Sequence, residues 1–267
     1  GWLTLKAGRE GSIGDIAGAM VPSAIAAYAP QQYACKGFPF APFSPDKRYV
    51  WIEATDARTG GLARIPAEYV FAARCLPESI RANLLTNVST SGVAAWTDPQ
   101  RALQLGVLEL IERDAFLRHW IARRSPATMC ESTMPADAQH RIRLLRETGA
   151  RVIVSRLDDA QVPVFTVFVQ DIARPFTAIT AAAAFDQETA LIKALDEAEG
   201  RVLHSLAYPA APLEKACVVH GIADICRYYQ TKRYFKRADF YAAGAAVQRF
   251  GEGLFNSTWA ELETCLT

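Results

Sequence analysis

The sequence predicts an α+β fold in which mixed β-sheets are flanked by helices. Three observations support this prediction: a long helical segment begins at Asp98, β-branched segments are frequent after residue 150, and two short strands surround a turn near residue 57. The chain has 267 residues, enough for one large domain or two small ones with an ample core. Of these, we expect a single domain over residues 1–267.

The predicted strands fall into two groups. YVWIEAT (49–55) and LARIP (62–66) flank the turn residues ARTGG and predict a hairpin. Residues 123–137 are polar and predict a linker. Three later strands are predicted by segments rich in β-branched or small residues: ARVIVSRL (150–157), PVFTVFVQ (163–170) and FTAITAAAA (176–184).

Two helices are predicted in the second half of the chain. One lies around residues 138–148 and ends at Gly149. The other, over residues 187–206, buries an apolar stripe made of Leu191, Leu195, Ala198 and Val202. On its other face, Glu197 and Arg201 lie beside Ala190 and Ala194, whose small side chains allow another backbone or a ligand to come close.

The helix that starts at Asp98-Pro99 carries the strongest chemical signal. Glu109, Glu112 and Arg113 have i, i+3 and i+4 spacing, which places them on one face. Bulky apolar residues share that face (Leu105, Phe116, Trp120), and a second apolar stripe is expected in the core (Leu103, Val107, Leu110, Leu117, Ile121). Two carboxylates on a mostly buried helix need a compensating charge, and a divalent metal with phosphate is one candidate.

A simpler interpretation of the same residues stays open. Glu109 and Arg113 also form a common i, i+4 ion pair, which stabilises a helix by roughly 0.2–0.5 kcal/mol. Glu197 and Arg201 have the same spacing. Either pair could therefore serve the helix alone.

Composition narrows the class of function. The 29 Lys and Arg balance 28 Asp and Glu, so no global charge attracts nucleic acid or a membrane surface. Residues 226–240 mix tyrosines with cations that include Lys232, Arg233, Lys236 and Arg237, for which a solvated face or a peptide-docking edge is favoured over nucleic-acid binding. The six cysteines are scattered without the spacing of a zinc site, and we expect reduced thiols.

The segment around the long helix resembles the central motif of the YcaO family of ATP-dependent enzymes. The matching residues are Thr90-Ser91-Gly92, then Ala94-Ala95, and Glu109-Leu-Ile-Glu-Arg-Asp114, ending at Trp120. The similarity extends over about residues 30–241, in the branch that modifies ribosomally made peptides.

The resemblance implies a YcaO-type fold around a nucleotide cleft, with ATP and Mg²⁺ as cofactors. In the family, the two glutamates of this helix hold Mg²⁺ on ATP and the arginine neutralises phosphate charge. The resemblance thus assigns metal binding to Glu109, Glu112 and Glu197. It assigns ATP or phosphate binding to Ser91, Thr97, Arg113, Glu197 and Arg201. No general base is identified.

The implied reaction is ATP-dependent cyclodehydration of a precursor peptide. A Cys, Ser or Thr side chain attacks the preceding carbonyl, ATP phosphorylates the resulting oxyanion, and loss of phosphate leaves a thiazoline or oxazoline. The resemblance also implies a cytoplasmic homodimer that works with a leader-peptide-binding E1-like partner protein or domain. Neither nucleic acid nor membrane is expected as a partner.

Several positions depart from the family pattern and keep two alternatives open. Trp96 stands where the family usually has Gly, and Thr97 and Arg101 stand where Asn and Glu are usual. The family's first glutamate motif and its Pro-rich carboxyl end have no counterpart, so we expect an incomplete copy of a longer protein. One alternative is a scaffold that docks peptide or a partner enzyme without using ATP. The other is ATP-dependent backbone thioamidation.

Overall fold

The computed structural model describes residues 8–25, 27–57, 59–81, 84–209, 211, 213, 222–252 and 256–266. These residues form two compact units, which divide between Thr90 and Ser91. The α+β class is confirmed, because each unit contains a sheet with helices beside it. That residues 1–267 act as a single domain stays a prediction.

The first unit is built on a three-stranded antiparallel sheet. The central strand β2 (Tyr49–Thr55) lies between β1 (Arg9–Gly11) and β3 (Leu62–Pro66). Thr55 is paired with Leu62, which confirms the predicted hairpin. The hairpin forms here because its alternating residues pack one face of the sheet while the Gly-containing turn reverses the chain.

The core of this unit uses both faces of β2. Trp51 is buried and its indole N–H donates to the carbonyl oxygen of Gly11 at 2.9 Å. Val50, on the opposite face, packs near Ile80. Two short helices, α1 (Pro30–Tyr33) and α2 (Glu78–Arg81), lie in the connections.

The second unit contains a five-stranded mixed sheet. In spatial order its strands are β7 (Phe176–Ala183), β6 (Val164–Asp171), β5 (Arg151–Arg156), β4 (Ala127–Cys130) and β8 (Val247–Arg249). All neighbours are antiparallel except β4 and β8. The prediction of a linker over residues 123–137 is wrong in its middle, because pairing with β5 and β8 makes a strand of a segment that is polar overall.

Helices cover both faces of this sheet. They are α3 (Pro99–Ile121), α4 (Ala136–Glu147), α5 (Gln187–Ala207), α6 (Ile222–Tyr228) and α7 (Trp259–Leu266). On one face, α4 and α5 pack against alternate residues of β6, including Phe165 and Val167. On the other face, Leu108 and Ala115 of α3 pack near Val164. As a result every residue of β6 is buried.

The predicted stripe of α5 is confirmed. Leu191, Leu195, Ala198 and Val202 are buried. Ala190 and Ala194 are buried as well, and the hydroxyl of Thr180 on β7 donates to the carbonyl oxygen of Ala194 at 2.8 Å. The small side chains of Ala190 and Ala194 therefore allow strand β7 to lie close to α5.

The predicted core stripe of α3 is wrong at four of its five positions, and the fifth, Val107, packs partly buried against the core. Leu103, Leu110, Leu117 and Ile121 are exposed, and Ile121 retains 76% of its accessible surface. The residues that α3 buries are Gly106, Leu108, Ala115 and His119. A helix with apolar residues on two sides offers two candidate faces, and periodicity cannot choose between them.

Free thiols are found where the structure describes a cysteine side chain: Cys35, Cys75, Cys130 and Cys226. Cys217 and the side chain of Cys265 lie outside the described residues. Among the described helices, none has the length and apolar character needed to cross a bilayer.

A close backbone contact joins α3 to the loop before it. A Cβ atom at Gly106 would lie 2.7 Å from the carbonyl oxygen of Gly92, which is closer than real side chains approach. Gly92 itself has a φ of +78°, a conformation that L side chains rarely adopt. The two glycines therefore let the loop lie directly against the helix.

Replacing Gly106 by Ala should destabilise the protein by roughly 1–3 kcal/mol, because the loop must move away from the helix. The matched control is Gly200→Ala in α5, where a Cβ would meet nothing within 4 Å. That change should stabilise by about 0.5–1 kcal/mol, since Ala is the better helix former. Denaturant unfolding measures both, and equal effects at the two positions would contradict the contact.

Candidate functional site

The second unit contains a cavity of about 570 Å³ between α3, α5, α6 and the edge strand β7. Its volume lies within the range of small-molecule sites. Four predicted site residues line it together: Glu112, Arg113, Glu197 and Arg201. The helices on opposite faces of the sheet thus bring their charged residues to one place at the sheet edge.

Glu112 is the most deeply placed acid of this group. Its side chain is 13% exposed, and its pKa is raised to about 7. Burial is the largest cause, Glu197 and Glu109 raise it further, and Arg113 together with the main-chain N–H of Ala183 acts against them. Desolvation therefore contributes more to the raised pKa than repulsion between the acids does.

Arg113 lies between two carboxylates. Its guanidinium is 3.5 Å from the nearest oxygen of Glu109 and 3.5 Å from that of Glu112. The side chain is half exposed, so part of its hydrogen-bonding capacity faces the cavity and solvent. A guanidinium in this position can bind an anionic group such as a phosphate without leaving the acids.

Glu109 is next to the cavity, and its assignment to the metal stays a prediction. Its carboxylate accepts the main-chain N–H of Gly92 at 3.2 Å, and Glu109 is not among the residues that line the cavity. Gly92 is also the residue whose carbonyl lies against Gly106. Glu109 therefore fastens the loop to the helix that carries Glu112.

Glu197 and Arg201 complete the charged group from α5. Their side chains are 3.4 Å apart and roughly half exposed. An exposed pair at this spacing adds little to stability. Their position in the cavity, opposite Glu112, is what distinguishes them from an ordinary helix pair.

The remaining predicted residues do not reach the cavity. Ser91 is half-buried in the loop, and Thr97 is exposed just before α3. Arg101 donates to the side chain of Gln104 at 3.1 Å. Neither Ser91 nor Thr97 is among the lining residues, so their assignment to ATP stays a prediction.

Aromatic residues form another part of the cavity wall. Trp120 stacks near Phe116 with ring centroids 5.8 Å apart and meets Tyr229 edge-on at 6.0 Å. The prediction of a solvated face over residues 226–240 is wrong in part, because Tyr228 and Tyr229 line the cavity and Tyr234 is buried. The adjacent Tyr228 and Tyr229 could have indicated a cavity wall, but the Lys and Arg residues around them favoured a solvated face.

The residues present fit a magnesium ion that is held jointly with phosphate. Within the described part of the chain, no three His, Cys, Asp or Glu side chains form a preassembled metal site. Mg²⁺ usually takes only one or two carboxylates together with phosphate oxygens and water. Glu112 and Glu197 supply such a pair, and Arg113 and Arg201 supply positive charge for phosphate.

Comparison with known proteins identifies the family. The sequence profile described as YcaO cyclodehydratase, ATP- and Mg²⁺-binding, matches residues 6–266. A comparison with curated protein sequences gave no match. Several solved structures have a similar fold, and at 12–18% sequence identity they show the fold alone.

Three of these structures illustrate the similarity. The E. coli microcin synthetase McbBCD complex has a TM-score of 0.71 and 12% identity, with 97% of this chain and 67% of that chain covered. The YcaO from Methanopyrus kandleri bound with AMPPCP and Mg²⁺ has a TM-score of 0.61 and 18% identity, with 81% and 54% covered. The third is a heterocyclase in complex with substrate and cofactor, with a TM-score of 0.67, 17% identity, and 85% and 34% covered.

The chain is therefore shorter than most of its structural relatives. It spans 33% of the heterocyclase TruD and 54% of the Methanopyrus kandleri protein.

The fold, the cavity with its acids, and the profile match over nearly all of the sequence lead to one conclusion. This chain belongs to the YcaO family, whose members use ATP and Mg²⁺.

Proposed function

We propose that this chain binds Mg²⁺-ATP in the cavity between α3 and α5 and uses it to cyclodehydrate Cys, Ser or Thr residues of a ribosomally made precursor peptide. The observation that carries the proposal is the pairing of Glu112 with Glu197 beside two arginines in one cavity. Burial and repulsion raise the pKa of Glu112 to about 7. A cation bound by the two acids would reduce both the cost of burying the Glu112 charge and the repulsion between Glu112 and Glu197.

Each residue of the cavity has a specific task under this proposal. Glu112 and Glu197 bind the metal, Arg113 and Arg201 bind phosphate oxygens, and Glu109 holds the loop at Gly92 in place. When bound, Mg²⁺-ATP would supply an electrophilic phosphoryl group, and its Mg²⁺ would offset part of the phosphate charge. Glu112 is the least exposed of these groups, so its charge interactions are screened least by water.

The choice of cyclodehydration rests on the family and its structural neighbours. The profile that matches is named for that activity, and the McbBCD complex has also been solved with pro-MccB17 bound. We therefore include a precursor peptide and a leader-peptide-binding E1-like partner in the proposal. A homodimer and a cytoplasmic location are part of it as well.

A scaffold without ATP use is the rival, and the structure gives it limited support. Trp96 and Thr97 depart from the family pattern, and both are exposed. Arg101 is bonded along its own helix. None of the three lines the cavity, so none disrupts the charged group described above. We therefore favour the enzyme over the scaffold and over thioamidation.

Mg²⁺-ATP should raise the melting temperature of the full-length protein. At a hundredfold excess over Kd, ligand binding stabilises by about 2.7 kcal/mol, a shift of roughly 5–10 °C. Glu112→Ala should remove most of this shift and reduce peptide-dependent phosphate release by about 10²-fold or more. Leu108→Ala, which changes a buried apolar residue one turn away, should lower stability but keep the shift. Normal turnover in Glu112→Ala would remove Glu112 from the metal site.

Stability should depend on pH through Glu112. Its folded pKa of about 7 exceeds the ordinary 4.5, so its protonation stabilises the fold below about pH 4.5. This contribution is lost as the pH rises through about 7, and it amounts to roughly 3 kcal/mol at most. Glu112→Gln, which resembles the protonated form, should therefore gain stability relative to wild type between pH 5 and pH 8. Glu263→Gln, at an exposed position, is the control, and parallel curves for both variants would contradict the raised pKa.

Reversion of two family positions separates enzyme from scaffold. If Thr97 and Arg101 have disabled the site, Thr97→Asn combined with Arg101→Glu should restore a Mg²⁺-ATP melting shift that the unchanged protein lacks. We expect the unchanged full-length protein to show the shift already, because both residues lie away from the cavity. A shift seen only after reversion would establish the scaffold.

A further inference from the structure

Strand β7 has one paired edge and one edge that faces away from the sheet. Its neighbour β6 takes up one side. On the other side, the main-chain N–H of Thr177 donates to the carbonyl oxygen of Tyr229 at 2.9 Å. Just after the strand, the N–H of Ala184 donates back toward the β6 side, to Pro163, at 3.2 Å. Odd-numbered residues of β7 therefore turn their main-chain groups outward.

Among the described residues, two in the middle of this outer edge have main-chain groups without a hydrogen-bond partner. Alternation places the N–H and C=O of Ile179 and Ala181 on the outward side. Within the described part of the chain, no hydrogen bond reaches these four groups. On either side of them, the N–H of Thr177 is bonded to the carbonyl oxygen of Tyr229, and the N–H of Ala183 faces the Glu112 carboxylate.

The unpaired stretch lies in the cavity. Ile179 and Ala181 both line it and are half-buried. The helices α3 and α5 pack on opposite faces of the sheet, and the cavity lies along the edge of β7 between them. Natural proteins usually cover or blunt an open edge, because unpaired N–H and C=O groups recruit another strand. Here the opening leads directly to the charged group at Glu112 and Glu197.

We propose that an extended segment of the substrate peptide pairs with β7 along Ile179 to Ala181. This inference rests on the proposed peptide substrate and specifies how it is positioned. The two residues offer donor and acceptor pairs about 7 Å apart, which is the repeat of alternate residues in a strand. An adenine ring has one donor group, its exocyclic amine, which cannot reach two carbonyl oxygens about 7 Å apart. The edge therefore matches a peptide backbone better than a nucleotide.

The pairing would also set the position of the reacting amide. Ala183, whose N–H faces the Glu112 carboxylate, follows Ala181 by two residues, or about 7 Å along the strand. A peptide paired with Ala181 therefore carries its next residues toward the acids and arginines. Main-chain pairing does not select the side chains of the peptide. Specificity for them would come from the aromatic wall and from the other contacts of the peptide.

Hydrogen exchange tests the proposal directly on the full-length protein. The probes are a synthetic decapeptide with one cysteine between glycines, at millimolar concentration, and AMPPCP with Mg²⁺. The peptide alone should slow exchange of the Ile179 and Ala181 amides by tenfold or more at saturation. Those of Ala178 and Thr180 already pair with β6 and should change little. Protection by the nucleotide and not by the peptide, or by neither probe, would overturn the proposal.

An N-methyl scan of the peptide supplies an internal control. Methylation of an amide that faces β7 should weaken binding by roughly tenfold, and methylation of the next amide should have little effect. Sensitivity must therefore alternate along the peptide, and uniform or absent sensitivity would refute strand pairing. Because the peptide is measured without nucleotide, a missing Mg²⁺-ATP melting shift would count against the proposed function and leave this result separate.

Discussion

The burial of Glu112 at the edge of the sheet is the constraint on which the rest of the site depends. This carboxylate reaches its position because α3 and α5 cover opposite faces of one sheet and end their coverage at β7. Desolvation makes the charged form of Glu112 costly, and Glu197 adds repulsion. The fold thus keeps a carboxylate whose charged form is costly, and under the proposed function a bound cation would lower that cost.

The loop before α3 shows how this constraint extends into the backbone. Glu109 accepts the N–H of Gly92, and the carbonyl of Gly92 lies against Gly106. The loop cannot approach so closely if either glycine carries a side chain. One of the two helix acids therefore serves as an anchor while the other faces the cavity, although their spacing in the sequence makes them look equivalent.

Three parts of the cavity wall offer different chemical groups. Carboxylates and guanidinium groups at one part of the wall suit a metal with phosphate, whereas the aromatic rings of Phe116, Trp120 and Tyr229 suit an apolar group. The outer edge of β7 runs along the same cavity and offers main-chain groups. Under the proposed function, these three surfaces would receive the metal with phosphate, an apolar group and the peptide backbone.

The sequence by itself determined the fold class, the hairpin at residues 49–66, the buried stripe of α5 and the acids of α3. These follow from local periodicity, turn residues and a specific motif. Only the tertiary structure decided which face of α3 is buried, that β4 forms within a polar segment, and that Glu112 rather than Glu109 faces the cavity. The open edge of β7 was equally hidden. Such features depend on pairing and packing between distant segments, and a local pattern carries no information about the partner.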